Sequence, residues 1–126
     1  HHVDICLDTY PYSGATTTFH ALWMGVPTLT ICGATAAGRS SVAILSGVRL
    51  EAFVADNKDD FIQKGVFWAS NLHPLAGIRQ VLRKRFAASA AGQPKLVAAG
   101  LERTLRSMWQ RFCKGESVSF EVKNEE

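Results

Sequence analysis

Two short apolar runs, joined by a segment of helix length, constrain the fold of this chain most strongly. The first run contains Val3, Ile5 and Leu7, and the second extends from Pro27 to Cys32. Apolar runs that contain β-branched residues are typical of buried parallel strands. Parallel strands need a crossover connection, and residues 8–26 are long enough to supply a helix. The sequence therefore predicts a βαβ unit in an α/β fold.

A turn rich in hydroxyl groups follows the first predicted strand and contains Ser13, Gly14, Thr16, Thr17 and Thr18. Ligands of open α/β sheets bind at the carboxyl ends of the strands. The first turn of a helix also has unpaired N–H groups and a positive dipole end, which favour a phosphate. Gly14 leaves room for a ligand oxygen and permits a positive φ. Alternatively, Ser13 or Thr16 is an ordinary N-cap and Gly14 an ordinary turn residue.

Three segments carry a resemblance to a known family: DTYPYSGATTT, LWMGVPTLT and GATAAGRSSVAIL. They resemble the end of the catalytic region of O-linked N-acetylglucosamine transferases and SPINDLY-type O-fucosyltransferases, over about Asp4 to Lys114. The resemblance implies the Rossmann-like half of a GT-B C-terminal domain, with a short parallel sheet, flanking helices and a helical C-terminus. It assigns residues 1–115 to this nucleotide-sugar-binding domain and leaves residues 116–126 as a polar tail.

The resemblance also implies roles for individual residues. Thr16 and Thr17 match the paired threonines that hold the donor diphosphate, with Gly14 and Ala15 in the same turn. Ala15 stands where the animal enzymes have a histidine, so one side-chain donor is absent. His20 matches an acidic residue that binds the ribose hydroxyls, and imidazole cannot chelate both of them. Without the resemblance, His20 is a half-buried helix residue.

Three further residues are secondary candidates for the donor site: Ser13, Thr18 and Arg39. Arg39 precedes a short predicted helix, Ser40 to Leu45, that ends at Gly47, and its guanidinium suits a phosphate or a carboxylate. The alternative is a solvated surface arginine. The family's lysine near the diphosphate and its histidine lie upstream of this region. No residue of this chain is therefore assigned a catalytic role.

The resemblance favours transfer of N-acetylglucosamine from UDP-N-acetylglucosamine to protein Ser or Thr, without a metal. GDP-fucose and UDP-hexoses are alternative donors. We expect an upstream catalytic domain and tetratricopeptide repeats in the parent protein, and we expect the isolated chain to be inactive. Two other functions stay open: a scaffold or protein-interaction domain derived from such a transferase, and an unrelated Rossmann-like regulatory domain that binds another phosphate ligand.

Composition narrows the class of protein. The 126 residues are 47% hydrophobic, which is enough for one core. Cys6, Cys32 and Cys113 are far apart, so we expect reduced, buried thiols and no metal site. No apolar run reaches the roughly 18 residues of a membrane span and no signal peptide is recognisable, which predicts a cytoplasmic protein. The net charge of +3 comes from interleaved charges and does not predict nucleic-acid binding.

The remaining chain predicts one more strand, Leu50–Val54, and then helices. The first extends from Lys58 to Asn71, and the second begins at His73 and Pro74 and continues to Phe86. A linker at residues 87–95 leads to a last helix that stops at Gly115. This helix carries an apolar stripe, formed by Leu101, Leu105, Met108 and Phe112. Such a stripe more often lies in a core than in a partner-binding groove unless part of the protein is missing, as we expect here. The exposed edges of a three-stranded sheet favour low stability or dimerisation of the isolated chain.

Overall fold

A parallel sheet of three short strands organises the computed structural model, which describes residues 2–117 and residue 119. The strands are β1 (Cys6–Leu7), β2 (Thr28–Ile31) and β3 (Val54–Ala55), in the spatial order β1, β2, β3. Cys6 pairs with Thr28 and Ile31 pairs with Ala55, both in parallel register. The predicted βαβ unit is therefore present, with β2 at the centre of the sheet.

Five α-helices surround or follow the sheet in the described part of the chain. They are α1 (Thr16–Trp23), α2 (Ser40–Ser46), α3 (Lys58–Ser70), α4 (Leu72–Ala88) and α5 (Pro94–Cys113). Single turns of 3₁₀-helix occupy Ala37–Arg39, Glu51–Phe53 and Ala90–Gly92. The chain divides after Gly92 into two units, and α5 belongs to the second.

The core of the first unit lies between the sheet and the helices α1, α2 and α3, and α4 packs against α1 and α3. Leu29 at the centre of β2 is fully buried, and its Cδ2 lies 3.5 Å from the position of a Cβ on Gly65 of α3. A Cβ at Gly65 would make an ordinary van der Waals contact there, so α3 packs directly against the sheet. The buried apolar cluster consists of Leu22, Leu29, Leu45, Val48, Leu50, Phe53, Trp68, Leu75, Leu82 and Phe86.

Aromatic side chains join the helices to one another and to the loop before β3. The rings of Phe53 and Trp68 are nearly parallel, with centroids 4.5 Å apart. Phe86 of α4 contacts Phe19 and Trp23 of α1 at centroid distances of 5.8 and 6.3 Å. Such pairs contribute about 0.5–1.5 kcal/mol beyond their buried area. They fix the position of α1, which begins at the candidate site.

The third strand is shorter than predicted, and it begins where we expected it to end. Glu51–Phe53 forms a 3₁₀ turn, and only Val54 and Ala55 pair with β2. Leu50 and Phe53 are both buried, with 3% and 0% of their surface exposed. Residues three apart lie on the same side of a 3₁₀ turn, so this conformation buries both side chains at once.

The start of α3 is as predicted, whereas its junction with α4 is not. The Asn57 side chain accepts a hydrogen bond from the Asp60 N–H at 3.0 Å, which caps α3. The break lies at Asn71, and His73 is inside the first turn of α4. Proline is tolerated in a first turn because its missing N–H has no partner there, so Pro74 does not delay the helix.

The last helix also differs from expectation. It begins at Pro94, inside the predicted linker, because proline suits the first position of a helix. Gly115 has a φ of 71°, the left-handed conformation that ends many helices, as predicted. Three residues of the apolar stripe do not lie in a core, since Leu101, Leu105 and Phe112 are all more than half exposed. In its described part, the second unit contains no second helix to cover them.

In the described residues, no helix is both long and apolar enough to cross a bilayer. Of the predicted tail, residues 118 and 120–126 lie outside the described residues.

Candidate functional site

The first turn of α1 presents backbone donors at the carboxyl end of β1. Ala15 is the N-cap residue and its side chain forms no cap, while its carbonyl accepts from the Phe19 N–H at 3.0 Å. Within the described residues, nothing accepts a hydrogen bond from the N–H of Thr16 or Thr17. Both threonines are exposed, and the first turn holds no acidic residue. This helix start can therefore bind an anion.

Gly14 is needed at this site for space. A Cβ on Gly14 would lie 2.5 Å from the Thr17 Oγ1 and 3.0 Å from the Thr18 Oγ1. The positive φ that the sequence allowed is not used, because Gly14 is not among the described residues with positive φ. Its N–H donates to the Asp8 Oδ1 at 2.8 Å, so this amide is occupied. Gly14 shapes the turn, and the donors lie after it.

Asp8 is a residue of this site that the sequence analysis did not identify. Besides Gly14, its Oδ1 accepts from the Thr9 N–H at 2.9 Å, and its Oδ2 accepts from the Thr30 Oγ1 at 2.7 Å. One carboxylate thus joins the turn before α1 to the central strand. The signal that was available is position, since Asp8 directly follows β1 at the edge where ligands of α/β sheets bind.

Two of the secondary candidates have inward-facing hydroxyls. Ser13 is 2% exposed and its Oγ donates to the Ala37 carbonyl at 2.9 Å. Thr18 is 1% exposed and its Oγ1 lies 2.8 Å from the Ser41 Oγ. Their hydroxyls hold the turn against α2, so any contribution to ligand binding is indirect. Ser41, which the sequence analysis also missed, is fully buried between them.

The loop after β2 packs closely against the loop after β1. A Cβ on Gly33 would lie 2.8 Å from the Gly38 carbonyl oxygen, and one on Gly38 would lie 2.9 Å from the Pro11 carbonyl oxygen. Two glycines are therefore required for the close approach. Arg39 is exposed and directly precedes α2, two residues before the buried Ser41. It remains a candidate for contact with an anion.

His20 lies one turn after Thr16 on α1 and is exposed. Residues four apart share a face of a helix, so His20 and Thr16 are neighbours on the surface. The alternative of a half-buried position is therefore wrong. An exposed imidazole beside the first turn is compatible with a hydrogen bond to a ligand hydroxyl.

The cysteines are free thiols, but their burial differs from our expectation. Cys6 is partly buried, whereas Cys32 and Cys113 are exposed. Cys32 is exposed because it follows the last paired residue of β2, and Cys113 ends the uncovered helix α5. Burial raises the pKa of the Cys6 thiol. Over the described ranges, no group of three or more His, Cys, Asp or Glu residues is arranged to hold a metal ion.

The sequence of the chain is similar to those of known proteins. Residues 1–99 match the family described as Glycosyl transferase family 41. The chain is 42% identical over 117 residues to a protein of Arabidopsis thaliana named probable UDP-N-acetylglucosamine–peptide N-acetylglucosaminyltransferase SPINDLY. A protein of Caenorhabditis elegans named UDP-N-acetylglucosamine–peptide N-acetylglucosaminyltransferase is 26% identical over 123 residues. These matches cover 93% and 98% of the chain but only 13% and 11% of the relatives.

A solved structure extends the comparison to the fold. The structure of an O-GlcNAc transferase variant from Thermobaculum terrenum superposes with a TM-score of 0.81 at 37% identity. The match covers 89% of this chain and 22% of that one. It confirms the predicted fold, the Rossmann-like half of a GT-B C-terminal domain. The family match and the sequence identity together establish that the chain belongs to glycosyl transferase family 41.

Proposed function

We propose that this chain is the nucleotide-sugar-binding part of a protein O-glycosyltransferase. The donor is UDP-N-acetylglucosamine, and the acceptor is a Ser or Thr hydroxyl of another protein. The names of the Arabidopsis thaliana and Caenorhabditis elegans relatives support this donor and a peptide acceptor for those proteins. The alternative donors, GDP-fucose and UDP-hexoses, would use the same diphosphate contacts. They differ from UDP-N-acetylglucosamine in the base or the sugar.

The observation that carries the proposal is the pair of unpartnered amides at Thr16 and Thr17. The donor diphosphate lies at these amides and receives their hydrogen bonds. Negative charge grows on the diphosphate as the sugar leaves, and the positive end of the helix dipole stabilises it. The role of the chain in the reaction is therefore electrostatic, and no residue of it acts as a base.

His20 contacts the ribose, and Arg39 contacts the donor from the second loop. One imidazole satisfies one ribose hydroxyl at a time, so the nucleoside is held less firmly than by an acidic side chain that accepts from both. Ala15 supplies no side-chain donor. Backbone donors therefore provide most of the affinity for the diphosphate.

The rest of the transferase lies outside this chain, which spans 13% of the plant relative. We expect an upstream catalytic domain, tetratricopeptide repeats and no activity from the isolated 126 residues.

Leu7 on the edge strand β1 is 66% exposed, which favours dimerisation of the isolated chain. Light scattering over a dilution series tests this, and a monomer throughout would contradict it.

Calorimetric titration of the protein that carries this chain tests the donor site. UDP, GDP and their sugar conjugates are titrated into the wild type and into the double variant Thr16→Ala, Thr17→Ala. We expect one nucleotide to bind and the double variant to bind it about tenfold more weakly, because two hydroxyl donors are lost. The control is Ser46→Ala, which removes an exposed hydroxyl from α2.

A scaffold function is the second candidate, and the departures at Ala15 and His20 favour it. In that case the protein retains the fold of the family without its donor. Failure of every nucleotide to bind the wild type would support the scaffold and contradict the transferase. Binding of inorganic phosphate in preference to either nucleotide would instead favour the regulatory domain.

A further inference from the structure

We propose that Thr30, Asp8 and Ser41 are positioning residues that hold the two peptide groups of Gly14, and thereby aim the donor amides of α1. This inference rests on the proposed function, because it takes the first turn of α1 as the diphosphate site. It adds residues that touch no ligand and act through Gly14.

A glycine at this point needs external support. Gly14 has the greatest conformational freedom of any residue, so the turn before α1 is not rigid by itself. A larger residue is excluded by the approach of Thr17 and Thr18. The site therefore requires a fixed backbone conformation at a glycine, which does not restrict its own backbone. Hydrogen bonds from other residues must restrict it instead.

Asp8 fixes the first peptide group. The Gly14 N–H, which belongs to the peptide between Ser13 and Gly14, donates to the Asp8 Oδ1 at 2.8 Å. The hydroxyl of Thr30, a residue with no exposed surface, holds the other carboxylate oxygen at 2.7 Å. Thr30 is in the central strand, so this hydrogen bond joins the carboxylate to the middle of the sheet.

Ser41 fixes the second peptide group. Its Oγ donates to the Gly14 carbonyl oxygen at 2.7 Å, and Ser41 itself has no exposed surface. In a trans peptide the C=O and the next N–H point in opposite directions. The Ala15 N–H therefore points away from the buried Ser41, towards the side where the first turn of α1 begins.

The two contacts together leave little freedom on either side of Gly14. Hydrogen bonds hold the peptide planes before and after Gly14. The N–H groups that follow Gly14 therefore keep their direction without a ligand. Preorganised donors bind a diphosphate more tightly than donors that must first be ordered. The effect of this arrangement is confined to the diphosphate, since nothing in it reaches a nucleoside.

Two substitutions at one position separate this role from general stability. Thr30→Val keeps the side-chain shape and removes the hydroxyl from Asp8, whereas Thr30→Ser keeps the hydroxyl and leaves a small cavity. Each variant of the protein that carries this chain is titrated by calorimetry with UDP and uridine, and with GDP and guanosine. Thermal unfolding is followed in parallel.

We expect Thr30→Val to weaken nucleoside diphosphate binding by about tenfold while nucleoside binding is unchanged. Thr30→Ser should retain the affinity although its unfolding temperature falls. Ser41→Ala provides an independent second test and should also weaken only the diphosphate, with Ser46→Ala on the same helix as its control.

The outcomes distinguish the inference from the function on which it rests. Suppose that the wild type binds a nucleoside diphosphate more tightly than the nucleoside. If Thr30→Val and Ser41→Ala then leave the ratio of these two affinities unchanged, the positioning role is wrong and the donor site stands. If the affinity of the variants follows their unfolding temperature, the residues are merely structural and the role is again wrong. If the wild type binds neither diphosphate, the proposed function fails and the inference fails with it.

Discussion

Gly14 and Thr17 approach each other so closely that a Cβ on Gly14 would lie 2.5 Å from the Thr17 hydroxyl oxygen. Real Cβ atoms do not tolerate this distance, so Gly14→Ala must shift the Thr17 side chain from its position on the first turn of α1. We expect the free energy of unfolding to fall by about 1–3 kcal/mol, which is typical of overpacking. Denaturant titration measures this change.

Gly77 supplies the matched control for that substitution. It lies inside α4, and a Cβ there would meet nothing within 4 Å. Gly77→Ala should therefore raise the free energy of unfolding by about 0.5–1 kcal/mol through helix propensity. Equal effects of the two substitutions would show that Gly14 is not sterically required.

Ala15→His tests the missing side-chain donor. Ala15 is exposed, so an imidazole fits there without rearrangement of the core. One added hydrogen bond to a diphosphate should tighten nucleotide binding by about threefold to tenfold in calorimetry. Ala43→His places the same side chain on the exposed surface of α2 and should change nothing. Unchanged binding by Ala15→His would place the diphosphate away from Ala15.

Asp60 should make the stability of α3 sensitive to acid. The Lys64 ammonium donates to its Oδ2 at 2.9 Å and, together with the Asp56 N–H, lowers the pKa of this carboxyl. A lowered pKa in the folded state stabilises the protein above the unfolded pKa, and this contribution is lost as the pH falls through the folded pKa.

The substitution Asp60→Asn should therefore destabilise the protein near neutral pH, with a difference from the wild type that shrinks below about pH 4. Denaturant titrations across that range measure it. Asp59→Asn removes an equal charge from the same turn, and Asp59 makes no ion pair in the described structure. A constant difference for Asp60→Asn at every pH would contradict the expectation.

Cys6 should react with iodoacetamide more slowly than Cys32. Cys6 is partly buried and burial raises its pKa, so less thiolate is present at neutral pH, while Cys32 is exposed. Mass spectrometry of peptides after timed labelling gives the two rates separately. The labelling rate of Cys6 should approach that of Cys32 as the pH rises towards the pKa of Cys6. Faster labelling of Cys6 at neutral pH would be inconsistent with its position in β1.

Local patterns were sufficient for the elements that depend on local chemistry. The strands around α1 were recognised from their apolar runs, and the start of α3 was recognised from Asn57. The third strand was misplaced because five residues, Leu50 to Val54, are too few to distinguish two apolar patterns. One is the alternation of a strand, and the other is the spacing of three residues of a 3₁₀ turn. Tertiary burial of Leu50 and Phe53 decides that conformation.

The start of α1 at Thr16 could be predicted from the sequence, whereas the residues that support it could not. Thr16 and Thr17 follow from the rule that helix starts bind anions. Asp8, Thr30 and Ser41 meet only after folding, since Asp8 lies 22 residues from Thr30 and Ser41 lies 27 residues from Gly14. Contacts at such separations depend on the register of the sheet, which no short pattern contains.

The unpartnered amides at the start of α1 also bear on how such a protein changes over evolutionary time. Every residue except proline carries an N–H, so random substitutions at Thr16 or Thr17 rarely remove this donor. Anion binding by backbone amides is thus robust to mutation, while selection acts on the surrounding side chains. On the proposed function, a lineage that retains Asp8 and Gly14 can therefore exchange one nucleotide for another without first losing the amides that would bind the diphosphate.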